Sequence, residues 1–335
     1  MSDVRDAALR VEDLQVRYRT AAGPVTALHP VSFSVARGQM LGIAGESGSG
    51  KSTLALAVAC LLGPDAAEVT GSVHVAGHEL LSLAERQRRT LRWSKIAVVL
   101  QSAMNSLNPV LSIGAQIEDA ITAHRAMSRN DLRARVAELL DLVHIPVARR
   151  DAFPHQLSGG MRQRAVIAMS LALQPDVILF DEPTTALDVV VQRQILEEVR
   201  RLQERFGFAA VFITHDLSLL LEVAHRVMVL YAGRVMEDAP ADRFLGSALH
   251  PYSRGLLAAT PRVRGPRHEV ADIPGAPPDP RRPPPGCPFH PRCPHAGPRC
   301  ALEVPELRVR APSWRTACHW NDEPGGGARR GEGAA

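Results

Sequence analysis

Gly45-Glu46-Ser47-Gly48-Ser49-Gly50-Lys51-Ser52-Thr53 has the spacing G-x-x-x-x-G-K-S, the pattern of a loop that cradles phosphate groups. The short apolar run Met40-Leu41-Gly42-Ile43-Ala44 precedes it and reads as a buried strand. The longer apolar run from Leu54 to Leu62 follows and reads as a helix. In strand–loop–helix context the glycines let main-chain N–H groups turn inward on an anion. The helix N-terminus adds its partial positive charge. Lys51 is placed to reach terminal phosphates, and the Ser52 hydroxyl to ligate Mg²⁺. The chain has only two lysines, Lys51 and Lys95, against many arginines. Position 51 therefore calls for a compact ammonium, not a guanidinium fork.

The length of 335 residues accommodates one large domain and a small second one, and a 45% hydrophobic content supplies a core. A formal net charge of +4 is too mild to argue for nucleic acid or a membrane surface. No apolar run approaches the ~20 residues needed to span a bilayer. Met1 to Arg10 carries acidic residues and no apolar signal core, so a cytoplasmic location is expected.

Working outward, Leu9–Tyr18, Val31–Val35 and Gly71–Gly77 alternate as half-buried strands and predict an antiparallel sheet beside the loop. Glu79 to Arg92 reads as a charged, exposed helix, and Ile96–Leu100 as a strand ending at Gln101. Residues 105–165 change character: Ile113 to Ala126 and Asp131 to Val143 have helical periodicity with no strand between, predicting an inserted helical lobe. Val177–Phe180 and Ala209–Ile213 are continuous apolar runs, as in a parallel sheet, separated by a helix from Val190 to Phe206. Arg226–Tyr231 and Arg234–Glu237 read as closing strands around the turn Ala232-Gly233. Pro261 to Pro285 is rich in Pro, Arg and Gly and reads as a linker, and residues 324–335 as a disordered tail.

Val177-Ile178-Leu179-Phe180 delivers Asp181 and Glu182 to the end of a central strand. There Asp181 can hold Mg²⁺ and Glu182 can polarise a water. Leu157-Ser158-Gly159-Gly160-Met161-Arg162-Gln163 opens a second helix, from Met161 to Leu173, at which an anion can be held. Four of five cysteines fall at Cys287, Cys293, Cys300 and Cys318, spaced C-x5-C-x6-C-x17-C. In a reducing compartment this clustering favours a metal over disulfides. The gaps exceed the tight knuckles of most zinc sites, and four thiolates also suit a [4Fe-4S] cluster, so both metals stay open. Cys60 reads as a small core residue.

Over about residues 7–240 this set resembles the ATPase subunits of ABC transporters: the phosphate loop, LSGGMRQR, ILFDEP, Ala186-Leu187-Asp188 and Thr214-His215-Asp216 come in that family's order. The resemblance implies an α/β, RecA-like P-loop NTPase core with an antiparallel β subdomain, an inserted helical subdomain and a small irregular C-terminal metal-binding extension. It implies an ATPase using ATP and Mg²⁺ that sits on the cytoplasmic face of the membrane. Nucleotide would be bound by Tyr18 and by Gly45 through Thr53, with Tyr18 stacking on adenine; a strand aromatic in the core is the alternative for Tyr18. Lys51, Gln101, Glu182 and His215 would be catalytic, and Ser52, Gln101 and Asp181 would hold Mg²⁺. A histidine on a strand end is otherwise a satisfied core residue. Leu157 to Gln163 would act on the ATP of a facing subunit, and Asp188 would link the two sites across the dimer. Ser102 follows Gln101 where the family has an acidic residue, a departure that touches the coupling contact.

Ser106-Leu107-Asn108-Pro109, Phe153-Pro154-His155-Gln156, His250-Pro251-Tyr252 and Gly286 to Cys293 are similar to the oligopeptide/dipeptide (and nickel) importer group. Members of that group carry an iron–sulfur cluster in this extension. The implied organisation is an ATP-binding domain over 1–245 and an importer-type extension over 246–323. The implied partners are a second, different ATPase, two membrane permeases and an extracytoplasmic binding protein, with no nucleic acid. The alternatives are a soluble ABC ATPase of DNA repair or translation, or an importer of nickel or another non-peptide solute.

Overall fold

The computed structural model describes residues 7–101, 106–184, 187–259 and 272–322. Ser102, Ala186 and the tail from 324 lie outside the described residues, as does the first part of the Pro-rich linker. Twelve strands are present among the described residues: β1 (Ala7–Thr20), β2 (Gly23–Ala36), β3 (Met40–Ala44), β4 (Ala67–Val75), β5 (His78–Glu79), β6 (Ile96–Val99), β7 (Val177–Asp181), β8 (Ala209–Ile213), β9 (Arg226–Tyr231), β10 (Arg234–Pro240), β11 (Arg308–Ala311) and β12 (Trp314–Thr316).

They form two sheets. β2-β1-β4-β5 is antiparallel throughout. The larger sheet runs β11-β12-β10-β9-β3-β8-β7-β6. Its β9-β3-β8-β7-β6 half is parallel, and every residue of β3, β7 and β8 is buried, as strands covered on both faces must be. The two sheets meet over the helix Lys51–Val58, whose Leu54, Ala55 and Val58 pack with Leu9, Val16 and Leu41. On the other face of the large sheet sit the inserted helices Ile113–Thr122 and Arg129–Leu142, capped by Ser112 and Ser128, and the helix Gly159–Ser170. Ile113, Ile117 and Ile121 recur every fourth residue and are all buried, which is the periodicity that marks the lobe in the sequence.

Three differences from the sequence reading have local causes. The charged helix spans only Glu85–Leu91, because His78–Glu79 pairs with β4 and the Glu79 carboxylate accepts from the Leu81 and Ser82 N–H groups to make a turn. The strand around Val31 is much longer, running through Pro24 and Pro30; β2 is an edge strand, where a missing donor is tolerated. The extension is not irregular throughout. Its residues 308–316 form a hairpin that joins the core sheet, with Glu237 opposite Thr316 and Asp238 opposite Arg315.

The extension is anchored by aromatic packing and by one buried acid. Phe289 meets Tyr231 edge-on at 5.3 Å between ring centroids and Tyr252 at 5.2 Å. Glu237, fully buried in β10, accepts from Leu249 N, His250 N and Trp314 Nε1 at 2.7, 3.0 and 2.8 Å. Burial pushes its carboxyl up, and these donors pull it back.

Candidate nucleotide site

The loop between β3 and the helix Lys51–Val58 needs its glycines. Gly45, Gly48 and Gly50 have φ of 154°, 76° and 101°. A Cβ on Gly50 would stand 2.8 Å from the Ala27 carbonyl oxygen. Lys51 is buried, and its Nζ donates to the carbonyls of Gly45 (2.7 Å) and Glu46 (2.8 Å). Burial lowers its pKa, while Glu182, Asp181 and Glu46 hold it up.

Ser52 Oγ donates to Asp181 Oδ1 at 3.1 Å, so the end of β7 meets the first turn of the loop's helix. Burial raises the Asp181 carboxyl, and the Ser52 hydrogen bond opposes the rise. Glu182 follows in the left-handed region at φ 45°, held by its N–H to Ile213 O at 2.9 Å. Gln101 Nε2 donates to Glu182 Oε2 at 3.1 Å, and His215 Nδ1 lies 3.7 Å from the same oxygen. A hydroxyl–carboxylate pair suits Mg²⁺, which prefers oxygen ligands and retains water. Among the described residues no group of three or more His, Cys, Asp or Glu side chains is arranged to hold a metal.

A cleft of about 540 Å³ gathers Tyr18, Ser47 through Thr53, Gln101 and Glu182. Tyr18 lines it beside the phosphate loop, its hydroxyl sharing a 3.3 Å hydrogen bond with Thr53 Oγ1. The signature residues Leu157 to Gln163 do not line this cleft. Ser158 caps the helix Gly159–Ser170 by accepting from Met161 N at 3.3 Å. Gln163 is buried, and neither atom of its amide has a hydrogen-bond partner among the described residues. Asp188 caps the helix Val189–Phe206 through Val191 N at 3.0 Å, beside exposed Val189 and Val190.

Cys287, Cys293 and Cys318 each lie near others of the extension's cysteines. Burial, with a contribution from Cys300 and Cys293, pushes the Cys287 thiol up to about 11. Burial, with Cys287 and Cys293, pushes the Cys318 thiol up to about 12. Cys60 is buried in the core.

The sequence reading missed what the extension brings to the loop. Pro278, Asp279 and Arg281 line the same cleft. The Tyr252 hydroxyl accepts from Glu46 N at 2.8 Å, and Arg292 forks onto the Glu46 carboxylate at 2.7 and 3.0 Å. The only signal was that His250-Pro251-Tyr252 and Gly286–Cys293 are distinctive stretches; nothing in them says what they touch.

A carboxylate pair at a strand end, facing a lysine inside a glycine loop, is the working centre of a P-loop nucleoside triphosphatase. The ABC transporter family model matches residues 28–185, and the model for the oligopeptide/dipeptide transporter C-terminal region matches residues 236–300. The dipeptide transport ATP-binding protein DppD of Escherichia coli is 40% identical over 316 residues, 94% of this chain and 97% of that protein. The oligopeptide transport ATP-binding protein OppD of Salmonella typhimurium is 43% identical over 312 residues, 92% of each. A dimeric ATP-binding cassette solved with ADP and Pi superposes with a TM-score of 0.62 at 31% identity, covering 70% of this chain and 98% of that one. The chain belongs to the ATP-hydrolysing subunits of ABC transporters, in the group that carries the oligopeptide/dipeptide C-terminal region. Among the described residues no helix is long and apolar enough to cross a membrane.

Proposed function

We propose that the protein powers import of peptides, hydrolysing ATP on the cytoplasmic face of a membrane as one of two unlike ATPases beneath two permease subunits, with an extracytoplasmic binding protein selecting the solute. The observation that carries this is the presence, on one chain, of a nucleotide cleft and of an oligopeptide/dipeptide-type extension seated directly on its phosphate loop. Residues 1–245 are the ATP-binding domain, with the helical insertion over 105–165, and residues 246–323 the extension.

In this reading the loop N–H groups and Lys51 hold the phosphates of ATP, and Tyr18 takes the adenine. Ser52, Asp181 and Gln101 hold Mg²⁺, which supplies charge neutralisation across the phosphates. Glu182 polarises the attacking water; Gln101 and His215 converge on its Oε2 and fix the carboxylate's direction. His215 faces the γ-phosphate. Because Leu157–Gln163 lie away from the cleft of their own chain, they serve a facing cassette, and Asp188 with exposed Val189 and Val190 belongs to that junction. Cys287, Cys293, Cys300 and Cys318 would hold a structural [4Fe-4S] centre, with zinc as the alternative occupant; support comes from their clustering in sequence and from the burial of Cys287, Cys300 and Cys318, while the described side chains are not already arranged as a ligand set.

Reconstitution into proteoliposomes with the two permeases, the second ATPase and the binding protein tests the reading. ATP-driven accumulation of a labelled di- or oligopeptide is expected, lost when this subunit is omitted. Peptide-independent behaviour with nickel uptake instead would overturn the solute class, and transport without a second ATPase would overturn the heterodimer.

A further inference from the structure

Glu46 is the first variable residue of the phosphate loop, and all three of its polar groups are engaged. Its carbonyl accepts from Lys51 Nζ at 2.8 Å. Its N–H donates to the Tyr252 hydroxyl at 2.8 Å, and its carboxylate receives both terminal nitrogens of Arg292. Tyr252 and Arg292 both lie beyond residue 245, outside the ATP-binding domain as delimited above. The Arg292 side chain is only 4% exposed, so this is a desolvated, bidentate pair. The same guanidinium donates from Nε to Pro274 O at 2.8 Å and from a terminal nitrogen to Ile273 O at 3.1 Å. Those carbonyls begin the segment that runs on to Asp279 and Arg281, one wall of the cleft. Arg292 also lies directly before Cys293.

We propose that Arg292 is a positioning residue for ATP binding: one buried guanidinium sets the phosphate loop through Glu46 and the extension's wall of the cleft through the 273–274 carbonyls. The inference rests on the nucleotide-site reading given above. Its physical basis is that Lys51 is aimed in part by the Glu46 carbonyl, so anything that lets Glu46 swing displaces the ammonium that must meet the phosphates. Lysine cannot replace the fork. A single ammonium can reach the carboxylate but cannot also satisfy two carbonyls in the fixed guanidinium plane. The extension thereby controls occupancy of the nucleotide site, not the chemical step, because the hydrogen bonds of Arg292 go to Glu46, Tyr231, Ile273 and Pro274.

The test is steady-state ATP hydrolysis by the assembled transporter carrying Arg292→Ala, Arg292→Lys, Glu46→Gln or Arg292→Ala with Glu46→Gln. We expect KM for ATP to rise about tenfold in Arg292→Ala and in Glu46→Gln, with kcat within about twofold of wild type. Arg292→Lys should recover part of the loss, and the double variant should be no worse than the worse single one, as for two ends of one interaction. Unchanged KM in both single variants, or additive effects in the double one, overturns the proposal. Should Arg292→Ala fail to fold, Glu46→Gln, which removes charge from a partly exposed side chain, still decides the matter. A wild-type assembly that neither binds nor hydrolyses ATP would instead refute the underlying nucleotide-site reading.

Discussion

Gln101 and Glu182 share a 3.1 Å hydrogen bond, although they follow different strands, Gln101 coming after β6 and Glu182 after β7. The carboxylate proposed to polarise water is thus held by an amide that follows β6, at the strand end that precedes the inserted helical lobe.

Glu182→Gln should therefore keep ATP affinity near wild type and cut turnover by at least ~100-fold, the usual scale for loss of a positioned base. Nucleotide binding by titration and single-turnover hydrolysis separate the two effects. Turnover close to wild type would remove Glu182 from its role.

Lys51→Ala should act one step earlier. It deletes the ammonium held by Gly45 and Glu46 carbonyls and should abolish measurable ATP binding while leaving the fold intact by circular dichroism. Lys51→Arg should not rescue it, because the buried slot fits a compact charge and not a planar fork.

Gly50→Ala tests the loop backbone. With φ at 101° and a Cβ that would meet the Ala27 carbonyl, the substitution should cost about 1–3 kcal/mol in strain and distort the loop. A lowered melting temperature together with lost ATP binding is expected, whereas Gly63→Ala, in open space, should change neither.

Acid should weaken the fold through His250. Burial lowers its pKa to about 3, and its Nδ1 accepts the Tyr252 N–H at 3.0 Å, a bond only the unprotonated nitrogen can make. The unfolded chain takes up the proton near pH ~6.5 while the folded one does not. The contribution is thus fully present above that pH and is lost progressively as the pH falls toward about 3. From pH 6.5 to 5 it amounts to about 2 kcal/mol. Denaturant titrations at pH 7 and 5 measure it, and the difference should shrink in His250→Asn.

The parts readable from sequence were those fixed by local pattern. The short apolar runs before Gly45 and Asp181, each leading into a motif that follows a strand, read as buried strands, and Ile113, Ile117 and Ile121 fall on one face of a segment long enough to be a helix. What could not be read depended on distant partners. Pro24 and Pro30 argue against a strand until β2 is known to lie at an edge. Arg308-Val309-Arg310-Ala311 looks like charged coil until β12 folds back on it and pairs with β10. Arg292 and Glu46 stand 246 positions apart, and no rule of spacing connects them.

The hairpin β11–β12 has a consequence for how the chain is made. Without it β10 would be the last strand of the core sheet, with its free N–H and C=O groups open to any passing strand. The ribosome delivers β10 long before Thr316 emerges, so during synthesis the nascent sheet has a sticky border that only the far end of the polypeptide can seal. Chains cut short between Arg292 and residue 308 would keep that border for life while retaining the contacts of Arg292 with the phosphate loop, so self-association would be their characteristic fault.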